Sequence, residues 1–317
     1  MGVRLFFLIC AILVQYASTV SPFGQLLMTY YTGIGFETLK PSGVNALALA
    51  FFDPTPLTAA SCNFADLNTP CIRPATGSGD QKNLKWAVDI INGAKSLKDN
   101  TSPSRGKKPT VFFSFGGLSQ GGRCWDDIFN NADSTQRFAK NAAQLVTTVY
   151  RSVGEEVYIG FDLDVEETQS NLPQLELFVK VFRSIAPYSV FPLQICTLSG
   201  LASETNPDHF KVEIMKRLGP SAKGINFLNM MVNNVDSSCE EMSKYWKNPA
   251  LDFLPAENKI LGVWGQTIPS YVLHNPGCTD GSSLFSWIKQ NGVGIGIWQW
   301  WVGETKEVTS VIQSIRT

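Results

Sequence analysis

Short apolar runs and amphipathic stretches alternate along almost the whole chain. Eight apolar runs read as strands: residues 24–33, 44–54, 109–117, 156–166, 190–198, 225–234, 259–267 and 293–301. Between them, residues 80–99, 134–153, 172–185 and 306–316 place apolar side chains at helical spacing, and a weaker helical signal lies near 36–40. Strands that alternate with helices predict parallel βα units, and eight of them within 317 residues predict closure into a (β/α)8 TIM barrel. An open, doubly wound α/β sheet is the competing arrangement. The barrel is favoured because inward-facing polar residues recur at the C-terminal ends of the strands, the face that carries active sites in this fold. Under 30 residues separate the seventh run from the eighth, so no inserted α+β domain fits there. The expectation is a single domain over residues 21–317.

The first twenty residues have another character. Arg4 precedes an apolar run from Leu5 to Val14, and the small residues Ala17, Ser18 and Thr19 follow. This is the pattern of a secretory signal, and the run is too short to span a bilayer comfortably. Residues 1–20 are therefore expected to be removed, with the mature protein secreted or held in a secretory lumen and not anchored in a membrane. Six cysteines remain: Cys62, Cys71, Cys124, Cys196, Cys239 and Cys278. An even number in a secreted chain suits disulfides. Cys62 and Cys71 bracket a short loop and are the expected pair, whereas Cys196 sits inside an apolar run and reads as a small buried hydrophobe. Asn100 heads the Asn-x-Ser/Thr acceptor and is a candidate glycan site.

Composition narrows the chemistry. Hydrophobic residues make up 44% and charged residues 17%, which suits a large core. The net charge is −1 with no basic patch, which argues against nucleic acid as a partner. Only two histidines occur, His209 and His274, both far in sequence from the acidic cluster described below. Such scarcity gives little support to a zinc site or a Ser-His-Asp triad. There is no phosphate loop and no dinucleotide fingerprint, so neither metal nor cofactor is expected.

The fourth run, "VYIGFDLDVEE" at 157–167, holds the candidate chemistry. Strand alternation puts Asp162, Asp164 and Glu166 on one face and Ile159, Phe161, Leu163 and Val165 on the other. Three acids on one face repel each other, and taking them out of water costs several kcal/mol each unless they are paired or protonated. A solvated edge strand would avoid that cost, but four apolar residues opposite and Gly160 as a packing point indicate a central strand. A calcium site is a further alternative. One strand, however, sets its acids along a line and not around an ion.

"GFDLDVE" resembles the D-x-x-D-x-D-x-E signature of glycoside hydrolase family 18, the chitinases and endo-β-N-acetylglucosaminidases. "SFGG", Ser114 to Gly117, is similar to that family's S-x-G-G motif on the third strand, and "GIGIWQWW" to its eighth-strand ending, where Trp298 would form the floor of a sugar subsite. The resemblance implies a barrel enzyme that cuts β-1,4 links between N-acetylglucosamine units, as in chitin or the core of N-glycans. It implies Glu166 as the general acid, Asp164 as the group that orients the substrate's acetamide, and Asp162 as the partner sharing a proton with Asp164. Asn233 and Asn234 fall where the family's sixth strand carries Tyr followed by Asp or Asn. Ile159 replaces the signature's first Asp and, by parity, faces the helices. Tyr31 and Phe51 end the first two strands and could line the same pocket. Ser114 is expected to buttress Asp162 or the turn, and Gly116 and Gly117 to allow close backbone approach. Because the Tyr is missing, a chitinase-like lectin that keeps the cleft and has lost efficient turnover is the rival reading. A storage or inhibitor protein on the same barrel is a third.

Overall fold

The computed structural model describes residues 22–31, 33, 35–75, 82–98, 108–117, 124–165, 172–198, 209–231, 249–264, 288–298, 309, 312, 313 and 315. Eight parallel strands form a closed barrel: β1 (Leu27–Tyr30), β2 (Ala46–Phe52), β3 (Thr110–Gly116), β4 (Tyr158–Asp164), β5 (Leu193–Leu198), β6 (Phe227–Met231), β7 (Lys259–Trp264) and β8 (Gly294–Trp298). They hydrogen-bond in chain order, and β8 returns to β1 with Leu27 opposite Ile295. Every strand lies inside one of the eight apolar runs, so the expected (β/α)8 TIM barrel is the fold. Among the described residues no helix is long and apolar enough to cross a membrane.

The helices around the barrel are α1 (Phe36–Ser42), α2 (Leu84–Ala94), α3 (Cys124–Ile128), α4 (Ala132–Val153), α5 (Leu172–Ile185) and α6 (His209–Leu218). The 22-residue α4 starts where the Asn131 side chain accepts from the Ser134 N–H at 2.9 Å, and it ends at Gly154 with φ of 87°. The α2 helix starts in the same way, with the Asn83 side chain accepting from the Trp86 N–H. The periodicity missed α3 and α6. The first has 5 residues, too few to show a period, and the second is the 10-residue segment HFKVEIMKRL, whose apolar face is thin. Within 306–316, the described residues 309, 312, 313 and 315 are helical.

Strand alternation divides the core into two layers. Ile159, Phe161 and Leu163 of β4 point outward, and Phe161 packs among Phe115, Phe138 of α4, and Phe178 and Phe182 of α5. Ile159, the departure from the family signature, is therefore buried under the helices, as its parity requires. The inner layer holds Leu26, Met28, Tyr30, Ala46, Ala48, Ala50, Phe112, Phe227 and Ile260, closed below by Phe23 against Tyr158. Large and small residues interlock here. A Cβ on Gly160 would stand 2.5 Å from the Phe112 ring, so the phenylalanine on β3 is accommodated only because β4 carries glycine opposite it.

Two further features hold the two ends of the barrel. Cys62 and Cys71 form the expected disulfide in the segment after β2. That segment is pinned to α4 by Asn141, whose amide donates to the carbonyls of Leu57 and Ala59 at 2.8 and 2.9 Å. At the other end of the barrel Arg183 of α5 is largely buried. It donates to the carbonyls of Gly224, Ala186 and Phe191 and to Oδ1 of Asn226, joining α5 to the starts of β5 and β6. Burial pulls its guanidinium down to about 9, and Tyr188 opposes that fall.

Candidate active site

The site is built on three adjacent strands at the C-terminal end of the barrel. Register sets Ser114 of β3 beside Asp162 of β4, and Asp162 beside Gln194 of β5. All three are buried with no exposed surface. The Ser114 hydroxyl donates to Oδ2 of Asp162 at 2.6 Å, and the Gln194 amide donates to Oδ1 at 3.0 Å. Ser114 thus buttresses Asp162, one of the two roles expected of it. Burial pushes the Asp162 carboxyl up to about 7, and the two hydrogen bonds pull against that rise.

Asp164, two residues on, shares the inward face and the same complete burial. Its backbone carbonyl accepts from the Trp125 indole at 2.9 Å and from the Gly117 N–H at 3.2 Å. The glycines at the end of β3 explain how the strands come so close. A Cβ on Gly116, where φ is 107°, would lie 2.5 Å from the Asp164 carbonyl and 2.7 Å from the Trp125 ring. A Cβ on Gly117, where φ is 89°, would lie 3.4 Å from the Phe51 ring and 3.5 Å from Oδ2 of Asp164. Gly117, Phe51 and the Asp164 carboxyl therefore converge.

Phe51 reaches the interior through an irregularity. Leu47 and Leu49 of β2 pack outward, and simple alternation would send Phe51 the same way. The register against β3 shifts between Leu49 and Phe52, so Phe52 takes the outward place and Phe51 joins the inner cluster, its ring 5.8 Å from that of Tyr30. The first strand differs from expectation. The tyrosine that faces the interior is Tyr30, while Tyr31 stacks on Phe36 at 5.9 Å and packs beside Trp86 among the outer residues. Adjacent residues on a strand point to opposite faces, and Tyr30 shares the parity of buried Met28.

The Tyr30 hydroxyl lies 3.4 Å from Sγ of Cys196 and accepts from the Asn229 amide at 3.3 Å. Burial first, and then Cys196, Asp162 and Asp164, raise this phenol well above its ordinary value, so it is neutral. Cys196 is buried as expected, but its setting is polar and not simply apolar. Tyr30, Gln194, Asn229 and Trp125 were not singled out from sequence. Gln194 and Asn229 carried a signal nonetheless: each is a polar residue inside a run that reads as a strand.

Glu166, Asn233, Asn234, Asn100, His274, Cys239, Cys278 and residues 1–20 fall outside the described residues. Trp298 is the last residue of β8, opposite Trp264, and its side chain is not described. Among the described residues no three His, Cys, Asp or Glu side chains are grouped so as to hold a metal ion.

The same architecture occurs in solved structures. A glycoside hydrolase family 18 chitinase from Pseudoalteromonas aurantia shares 17% identity over 92% of this chain and 98% of its own, with a TM-score of 0.56. A chitinase from Bacteroides thetaiotaomicron shares 10% identity over 93% and 97%, with a TM-score of 0.55. At these identities the likeness establishes the fold. No protein-family model matches the chain, and no curated protein matches it.

Proposed function

We propose that this protein is a secreted glycosidase that hydrolyses β-1,4 linkages between N-acetylglucosamine units. One observation carries the reading: Asp162 and Asp164 are fully buried, side by side on the inward face of a barrel strand, with Asp162 held from both flanks by Ser114 and Gln194. Two carboxyls in a dry site cannot both ionise cheaply, so the pair holds one proton between them. The sequence places Glu166 next on the same face, and the fold is one shared with chitinases.

In this reading Glu166 donates its proton to the glycosidic oxygen as the bond to the anomeric carbon breaks. The carbonyl oxygen of the substrate's own 2-acetamido group attacks that carbon and closes a cyclic oxazolinium. Asp164 holds the acetamide N–H and stabilises the positive charge that develops there. Water then attacks the anomeric carbon, gives its proton to Glu166 and reopens the ring, with overall retention. Phe51 and Trp298 would present apolar surface to the sugar. Asn233, where a tyrosine hydroxyl would otherwise hold the acetamide, favours a second reading: a lectin that binds the same glycans with little turnover.

The test is incubation of the purified protein with chito-oligosaccharides, with fully deacetylated chitosan and with a denatured N-glycoprotein, followed by product analysis. Acetylated substrates should be cut and deacetylated ones left intact. Glu166→Gln should abolish cleavage and retain sugar binding, because the amide keeps the shape and has no proton to give. Binding without product from the wild type would establish the lectin, and cleavage of deacetylated chitosan would refute substrate assistance.

A further inference from the structure

We propose that Lys82 is a positioning residue: by holding the Ala50 carbonyl it keeps the Phe51 ring turned into the candidate site, where a sugar would stack on it. The stacking rests on the glycosidase reading; the anchoring of Phe51 does not. Phe51 needs support because the ladders of the barrel pass it by. On one side, β1 pairs with β2 as far as Tyr30 opposite Ala48. On the other, the register with β3 steps from Leu49 opposite Phe113 to Phe52 opposite Phe115, so neither Ala50 nor Phe51 has a partner there. Yet the Phe51 ring stands inside, 5.8 Å from that of Tyr30, and it converges with the Asp164 carboxyl on Gly117.

The chain that follows β2 holds what the sheet does not. The Ala50 carbonyl accepts from Nζ of Lys82 at 2.5 Å, and the Phe51 carbonyl accepts from the Ala75 N–H at 2.9 Å. Both carbonyls that flank the Phe51 Cα are thus tied to the same excursion of the chain. Ala75 is set by a short antiparallel ribbon: the Asp53 N–H donates to the Arg73 carbonyl at 3.1 Å, Phe52 bridges Pro74, and the Arg73 guanidinium donates to Oδ2 of Asp53 at 2.6 Å. Lys82 is set by the start of α2, since it precedes Asn83, whose side chain caps that helix. Its acceptor distinguishes it from the lysines nearby. Lys85 and Lys95 reach Asp89 and Glu156, whereas the half-buried Lys82 turns to a neutral carbonyl. Burial lowers its ammonium, and no carboxylate of the described residues opposes that fall. The side chain therefore serves the strand end and not an ion pair.

The experiment compares the wild type with Lys82→Met, Lys82→Ala, Lys82→Arg, Phe51→Ala and the double variant of Lys82→Met with Phe51→Ala. The first readout is hydrogen exchange in the free protein. Without the bond from Lys82, the Asp53 and Ala75 amides should exchange about tenfold faster, while amides of α4 keep their rates. Lys82→Arg retains a donor and should stay close to the wild type. Lys82→Ala repeats the test if methionine disturbs packing. The second readout is affinity for a chito-oligosaccharide, measured by calorimetry with Glu166→Gln in every chain so that nothing is cut. Lys82→Met should weaken binding about tenfold, and should cost nothing further once Phe51 is alanine. Unchanged exchange, acceleration that extends equally to α4, or a Lys82 effect that persists in full without Phe51 overturns the assignment. Faster exchange confined to the rim, in a protein that binds no chito-oligosaccharide, would uphold the anchor and overturn the glycan reading. Sugar binding that Lys82→Met leaves intact would do the reverse.

Discussion

Gly116 and Gly154 share a positive φ and differ in surroundings. At 107° and 87° an L side chain costs about 1–3 kcal/mol. Around Gly154 there is open space, whereas a Cβ on Gly116 would press into the Asp164 carbonyl and the Trp125 ring. Gly154→Ala should therefore cost only the backbone strain. Gly116→Ala should cost at least about 2 kcal/mol more, since backbone and a buried indole must both move. It should also displace the strand end that carries Asp164 and so, on the proposed glycosidase reading, remove hydrolysis. Urea denaturation of the two variants side by side measures the first effect, and an oligosaccharide assay the second. Equal losses of stability would show that the contact at Gly116 relaxes without cost. Gly117 was as readable in the sequence as Gly116, through the same S-x-G-G motif. The role of each was not, because it depends on which side chain arrives from another strand.

At the scale of elements, α5 is joined to the sheet by Arg183 as well as by its apolar face. The guanidinium spreads four hydrogen bonds over Gly224, Ala186, Phe191 and Asn226, and it lies 5.1 Å from the centre of the Phe182 ring. Arg183→Ala takes a donor from three backbone carbonyls and one of two donors from Oδ1 of Asn226, which keeps the Leu193 N–H. At about 1 kcal/mol for each lost partner, the cost should be on the order of 3 kcal/mol or more. Arg183→Lys should recover less than half of that, because an ammonium lacks the planar fork. Thermal or urea unfolding monitored by circular dichroism decides the matter, and a lysine variant as stable as the wild type would refute the forked arrangement as the cause. The helix itself was legible, since 172–185 carries the period without interruption. Its anchor was not: Arg183 reads as a surface charge near a helix end until β5 and β6 are brought beneath it.

For the molecule as a whole, enclosing Asp162 in a barrel makes stability depend on pH. Its carboxyl titrates near 3.8 when solvated and about 7 when folded, mainly through burial. Between those values the folded state holds a proton that the unfolded chain has lost. Stability from this group is therefore greatest below about pH 4 and falls as pH rises towards 7. Asp162→Asn cannot ionise, so the stability of the wild type relative to this variant should decline by a few kcal/mol across that interval. Urea midpoints at several pH values supply the measurement, and a constant difference between the two proteins would contradict the raised carboxyl.

Local order decided what the chain alone could show. Alternation with a period of two and helical spacing depend on neighbours a few residues apart, so eight strands, the inward face of β4 and the outward place of Ile159 follow without any knowledge of the fold. The Cys62–Cys71 pair, 9 residues apart, belongs to the same class. Contacts between distant segments were decided only by closure of the barrel. Ser114 and Asp162 are 48 residues apart, Asp162 and Gln194 are 32 apart, and Tyr30 meets Asn229 across 199. Their partnership depends on strand register, which is set by how the two core layers pack together. Phe51 shows the limit most directly. Alternation sends it outward with Leu47 and Leu49, and a single shift of β2 against β3 brings it inside, because register belongs to a pair of strands and cannot be read from either one alone.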